Sequence, residues 1–238
     1  MSGRRPVVTI DGPAGAGKST TSRALAERLG FTYLDTGAIY RAVALACDAE
    51  PDLVARIDET SAAEAIGGSD RDRLRALAEG LPIEFGDAGR RVRLGGRDVS
   101  DAIRRPEIGH RASRISALPE VRAALLELQR RLGGQGGVVV EGRDAGSVVF
   151  PDAEVKFFLT ADAGARARRR TAELRERGIA ADEATVRSEI EARDARDSSR
   201  AAAPLVCPPG AMVIDSSGLT VAEVVGRMAD AVTQRNPA

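Results

Sequence analysis

The sequence is poor in the residues that usually announce a metal centre, a disulfide framework or a base-stacking surface. Its 238 residues include no tryptophan, one histidine and two cysteines, and aromatic residues make up 3% of the chain. Cys47 and Cys207 lie far apart, with no CxxC spacing and no clustered histidines, which argues against zinc and against structural disulfides. Both are expected to be small buried apolar residues. So few aromatic rings leave no platform on which nucleic-acid bases would stack. An excess of one charge sign is missing too: 35 basic and 35 acidic side chains balance. No global positive field therefore draws the chain to nucleic acid or to an anionic membrane. From Met1 to Ile10 the apolar run is too short for a signal-peptide core or a membrane span. The expectation is a soluble, cytoplasmic monomer with no nucleic-acid or membrane partner.

Lysine is the sharpest scarcity. Only Lys18 and Lys156 represent it among the 35 basic residues. Arginine serves wherever charge alone suffices, so a surviving lysine marks a place that needs a compact ammonium, which the broad guanidinium fork cannot imitate.

What is present fits one folding unit carrying insertions: 43% of the residues are hydrophobic, enough for one full-sized core. Val7 to Ile10 reads as a strand. It is followed by the glycine-rich Gly12 to Gly17, a helix closed by Gly30, a strand around Phe31 to Leu34, and a helix from Ala38 to about Asp48. This alternation predicts parallel strands. Pro51 to Arg105 changes character, ending in a small antiparallel insert around Pro82–Phe85 and Val92–Leu94. Helices start near Pro106 and Pro119, where proline suits a first turn. Val138–Val140 and Val155–Leu159 are continuous apolar runs suited to central parallel strands. Helices over Asp162–Arg177 and Asp182–Arg196, a strand at Met212–Ile214 and a helix over Val221–Val232 complete the chain. The fold class is α/β.

Gly12-Pro13-Ala14-Gly15-Ala16-Gly17-Lys18-Ser19 matches the Walker A pattern GxxxxGK[ST], between a strand and a helix as its mechanism requires. Glycines let successive backbone N–H groups turn inward around phosphate oxygens, and the helix adds its positive end. Lys18 reaches the β and γ phosphates, the Ser19 hydroxyl can ligate Mg²⁺, and Thr20 follows in the same turn. A GTPase switch is disfavoured, because neither lysine stands in an NKxD or TKxD motif. Arginine clusters outside this loop point instead to a second phosphorylated substrate. Arg166, Arg169 and Arg170 share one helix face, as do Arg193, Asp197 and Arg200. A non-catalytic ATP-binding regulator and a kinase for another small acceptor are the competing readings.

Several separated stretches resemble the bacterial cytidylate kinases, a branch of the nucleoside monophosphate kinases. They are Ile10-Asp11-Gly12-Pro13 with the loop through Ser19, Leu34 through Arg41, Gly142-Arg143-Asp144-Ala145-Gly146, Val148 through Ala153, Arg193 through Asp197 with Arg200, and Ala203-Pro204-Leu205. The resemblance implies a P-loop core with a five-stranded parallel sheet flanked by helices, a nucleotide-monophosphate insert near residues 38 to 104 and a helical lid near 163 to 182. It implies ATP-dependent phosphorylation of CMP and dCMP with Mg²⁺. Lys18 and the lid arginines Arg166, Arg169 and Arg170 would stabilise charge on the transferring group. Thr36, Arg41 and Arg143 would contact the monophosphate. Ser113, Arg122 and Asp144 would read cytosine, and Arg193, Asp197 and Arg200 the ribose and phosphate. Glu141, where the family often carries aspartate, would hold magnesium-bound water. The acceptor is already a phosphate dianion, so alignment matters more than a general base, and His110 is expected on a surface or in helix packing.

Overall fold

The computed structural model describes residues 5–60 and 65–235. Its eight strands among those residues are β1 (Val7–Asp11), β2 (Thr32–Asp35), β3 (Ile83–Gly86), β4 (Arg91–Leu94), β5 (Arg97–Asp98), β6 (Val138–Glu141), β7 (Val155–Thr160) and β8 (Met212–Asp215). A five-stranded sheet has the order β2-β6-β1-β7-β8 and a three-stranded sheet the order β3-β4-β5. The chain divides into two compact units, one of residues Met1–Tyr33 with Gly133–Ala238 and one of Leu34–Leu132.

In the first unit, β1 is central. It runs parallel to β6, with Val7 opposite Val138, and parallel to β7, with Val8 opposite Val155; β7 in turn runs parallel to β8. All five residues of β1 are buried, which is why it reads as an unbroken β-rich run rather than an alternating one. Around the sheet lie helices α1 (Lys18–Leu29), α7 (Ala163–Glu176), α8 (Glu183–Ser199) and α9 (Val221–Arg235). Val8, Ile10, Val139 and Phe157 pack with Leu25 of α1 and with Val224, Met228 and Val232 of α9 in one apolar cluster.

The second unit holds α2 (Thr36–Ala46), α3 (Pro51–Glu59), α4 (Gly68–Glu79), α5 (Pro106–Ile115) and most of α6 (Pro119–Gly133). Ile39, Val43, Leu53, Ile57, Leu74, Ile108 and Leu125 form its core. The β3-β4 pairing is antiparallel, Phe85 opposite Val92, as the apolar runs on either side of the Gly86–Gly89 turn predict. Buried Arg111 is held by Asp48 (2.8 Å), Asp58 (2.8 Å) and the Ala44 carbonyl (3.0 Å). Paired from several sides, that cation avoids the cost of an uncompensated buried charge. The proposed insert, residues 38 to 104, lies within this unit.

Two sequence expectations change. α2 begins at Thr36, not Ala38, because Asp35 caps it through the Ala38 N–H (3.0 Å). Cys207 is exposed rather than buried: it lies in the irregular segment before β8, followed by Pro208, and belongs to no packed face. Cys47 is buried as expected, its thiol donating to the Val43 carbonyl (3.2 Å) and pushed up to about 12 by burial. His110 is exposed on α5. No helix of the described residues is long and apolar enough to cross a membrane.

Candidate functional site

The glycine-rich loop leaves β1 at Asp11 and enters α1 at Lys18. Gly12 has φ 145° and passes so close to β7 that a Cβ there would lie 2.0 Å from the Leu159 carbonyl oxygen, so no other residue fits. Gly17, in the left-handed region at φ 89°, precedes α1 with no side-chain cap. The first N–H groups of α1 thus form a positive helix end suited to an anion. Lys18 is 4% exposed, and its Nζ donates to the Pro13 carbonyl at 2.7 Å. Burial lowers its pKa to about 7, the charge of Arg143 presses the same way, and Glu141 opposes them. An ammonium placed where burial and a neighbouring cation both work against it is stabilised by an incoming anion.

Ser19 Oγ donates to Glu141 Oε1 at 2.7 Å, and the Tyr33 hydroxyl donates to Glu141 Oε2 at 2.5 Å. The end of β6 thereby places a carboxylate beside the last residue of the loop. Oxygen donors of this kind suit Mg²⁺, which takes few protein ligands and completes its shell with water and phosphate. Among the described residues no group of three or more His, Cys, Asp or Glu side chains forms a dedicated metal cage.

Helices α7 and α8 pack together through Leu174, Val186 and Ile190, and Ala14 of the loop belongs to the same cluster. The contact is polar as well. Asp194 Oδ1 accepts the Ala14 N–H (2.9 Å), its Oδ2 pairs with Arg166, and Arg166 also donates to the carbonyls of Ala14 (2.9 Å) and Ala161 (3.1 Å). Arg169 donates to the Ser216 hydroxyl (2.9 Å) and carbonyl, while Arg170 pairs with Glu173 at 2.7 Å on a partly exposed face. The three arginines of α7 differ in what they hold: Arg166 braces the loop, Arg169 ties α7 to the end of β8, and half-buried Arg170 pairs with Glu173.

The segment after β6 folds over Asp11. Asp11 is fully buried, and its two oxygens accept the N–H groups of Ala145 (2.8 Å) and Gly146 (2.7 Å). Burial pushes its carboxyl up to about 6 in spite of those bonds; Asp144 adds to the rise and Lys18 opposes it. Arg143 Nε donates to Asp197 Oδ2 at 3.0 Å. Arg193 and Arg200 approach the same carboxylate at 3.9 and 3.8 Å, and Arg200 also stands 3.5 Å from Asp144. Burial alone would raise Asp197, but Arg143, Arg193 and Arg200 outweigh it and hold its carboxyl below the ordinary range. Arg143, Asp144, Arg193, Asp197 and Arg200 are therefore one charge network.

The second unit, taken by itself, holds a further polar group. Thr36, buried, opens α2, and Arg41 Nη2 pairs with Asp35 Oδ2 at 2.5 Å. Arg122 lies over the Tyr40 ring at 5.4 Å and donates to the Ser116 carbonyl at 3.0 Å. Ser113 is 7% exposed, and its Oγ has no hydrogen-bond partner among the described residues, an arrangement that ordinarily asks for a ligand or water. Sequence reasoning missed Asp11, Asp35, Asp194 and Tyr33. The first three stand inside the stretches that carry the family resemblance, the one signal available for them.

A protein-family model described as Cytidylate kinase matches residues 8–234. The chain is 45% identical over 234 residues to a cytidylate kinase of Syntrophotalea carbinolica, covering 98% of this chain and 94% of that one. It is 48% identical over 221 residues to a cytidylate kinase of Methylococcus capsulatus, covering 92% and 93%. Among solved structures, an uncharacterized protein from Eubacterium ventriosum is similar with a TM-score of 0.51 at 11% identity, over 96% of this chain and 98% of that one. That last likeness speaks to the fold alone.

Proposed function

The chain belongs to the cytidylate kinase family, and from that membership we propose that it transfers the γ-phosphoryl group of ATP to CMP and dCMP, giving CDP and dCDP. The observation that carries the reading is Lys18: the residue is 4% exposed inside a Walker A loop, its Nζ donates to the Pro13 carbonyl at 2.7 Å, and burial works against its charge. A triphosphate would relieve that strain, and Lys18 would exchange the Pro13 carbonyl for phosphate oxygens.

The backbone of Gly12, Pro13, Ala14, Gly15, Ala16, Gly17, Lys18, Ser19 and Thr20 would line the ATP phosphates. Ser19 and Glu141 would hold Mg²⁺, Glu141 through water. The ion would supply charge neutralisation for the phosphates. Lys18, with Arg166, Arg169 and Arg170 on α7, would add positive charge that needs no reorganisation during transfer. Through Asp194 and Arg166, α7 and α8 brace the loop that carries Lys18. Closure of residues 163 to 182 as a lid would exclude water and limit hydrolysis of ATP.

On the acceptor side, Thr36, Arg41 and Arg143 would contact the monophosphate, and Arg193, Asp197 and Arg200 the ribose and phosphate. Asp144, Ser113 and Arg122 would read cytosine, which presents an exocyclic amine beside two acceptors. A carboxylate with a guanidinium matches that edge, whereas uracil reverses donor and acceptor and leaves partners unpaired. The proposal includes a cytoplasmic monomer. A coupled assay with purified protein, ATP, Mg²⁺ and each nucleoside monophosphate tests the reading: CMP and dCMP should react best, and equal turnover of every monophosphate would contradict it.

A further inference from the structure

Asp11 is a carboxylate where the surroundings favour an apolar side chain. It ends a strand whose residues are all buried, and it is itself fully enclosed. A buried carboxylate is costly unless its lone pairs are satisfied, and here they are satisfied by the N–H groups of Ala145 and Gly146. Those two donors open a wide helical turn, Ala145–Val149, in which Asp144 O accepts from Val148 (2.9 Å) and Val149 (3.2 Å). The first N–H groups of such a turn have no partner within it.

Asp144 occupies the position immediately before that turn. An aspartate there ordinarily bends back and caps the turn with its own oxygens. It does not do so here: the turn has no side-chain cap from Asp144, and the carboxylate instead stands 3.5 Å from Arg200. The donors that would attract it are already taken by Asp11. A residue adjoining the phosphate loop thus decides where a residue of the neighbouring loop points.

We infer that Asp11 is a positioning residue for the acceptor nucleotide: by capping Ala145 and Gly146 it keeps the Asp144 carboxylate turned toward Arg200 and the base. Without Asp11 the Asp144 side chain folds back onto its own turn, and the discrimination it provides is lost. This rests on the reading of Asp144 as the group that meets cytosine.

The test is a double-mutant cycle on base choice. Asp11→Asn keeps the shape and one acceptor; Asp11→Ala removes both. Each is combined with Asp144→Ala, and kcat/KM is measured for CMP and UMP, with thermal midpoints recorded to verify folding. Asp11→Asn should lower the CMP-over-UMP ratio about tenfold, and Asp11→Ala should lower it at least as far. Neither should lower it further once Asp144 is alanine, because the two act through one contact. A purely structural role for Asp11 would lower stability or all rates alike and leave the ratio intact. If Asp144→Ala collapses the ratio while Asp11→Asn leaves it within about twofold, the inference is overturned and the reading of Asp144 stands. If Asp144→Ala itself leaves the ratio unchanged, both fall.

Discussion

The Ser19 hydroxyl and the Glu141 carboxylate meet at 2.7 Å, joining the last residue of the phosphate loop to the end of the neighbouring strand. Removing one partner should loosen metal binding without dismantling the loop, whose backbone is held elsewhere. Glu141→Ala is expected to raise the Mg²⁺ concentration needed for half-maximal rate by about 10- to 100-fold, as losses in the outer shell of a metal site do. Rates measured across a Mg²⁺ titration check this. An unchanged midpoint would remove Glu141 from the metal site.

Lys18 should be irreplaceable. Lys18→Ala is expected to lower kcat roughly 10³-fold, the scale of losing one preorganised charge at the reacting group. Lys18→Arg should rescue little, since a planar fork cannot occupy the place of a compact ammonium. Steady-state kinetics on both variants decide it, and substantial activity in the arginine variant would show that charge alone is needed.

Binding of ATP should also move a proton. With Lys18 lowered to about 7, most of the free protein carries a neutral amine at pH 8, and the triphosphate restores the ammonium by favouring its charged form. Calorimetric titrations at pH 8 in two buffers of different ionisation enthalpy should reveal uptake approaching one proton per ATP. Uptake should vanish below pH 6, where the amine is already charged, and should be absent in Lys18→Arg at either pH. Buffer-independent heats at pH 8 in the wild type would contradict the depressed amine.

Asp11 predicts an acid dependence of stability with an unusual sign. Its folded-state pKa, about 6, lies above the ordinary 3.8. The native protein therefore takes up this proton before the unfolded chain does. This group's contribution then becomes more favourable as pH falls through 6 toward 4, by about 3 kcal/mol at most. Asp11→Asn lacks that term, so the stability difference between variant and wild type should shift in the wild type's favour between pH 7 and pH 4.5. Urea midpoints at the two pH values measure it, and a difference that ignores pH would exclude the raised carboxyl.

Which parts of this protein were legible in the sequence depends on how local each signal is. The phosphate loop was legible because Gly12 through Ser19 is contiguous and its residue types are set by backbone geometry and phosphate chemistry. The starts of α5 and α6 were legible because Pro106 and Pro119 stand at first turns. The apolar runs of β6 and β7 marked central strands, while the run at β1 marked a strand without its central place. Asp11 and Asp194 were not singled out, since their partners, the N–H groups of Ala145, Gly146 and Ala14, lie far away in the chain and carry no residue signature. The arginine face of α7 was visible as spacing, but spacing could not tell that Arg166 turns inward to Asp194 while Arg170 stays with Glu173. Cys207 was assigned to the interior on residue type, and the irregular path before β8 defeated that assignment.

The position of β1 in the middle of its sheet sets the order of assembly as the chain is made. Its partners, β6 and β7, come from well beyond the whole of the Leu34–Leu132 unit. A nascent chain therefore leaves the ribosome with its first strand unpartnered while an entire compact unit is translated, and only later does the framework around the phosphate loop close. Pairings between such distant segments are slow to form, and every residue of the waiting strand is one that the finished fold buries. During that interval β1 is a sticky segment without its neighbours, and a chaperone that shields it would protect the later closure.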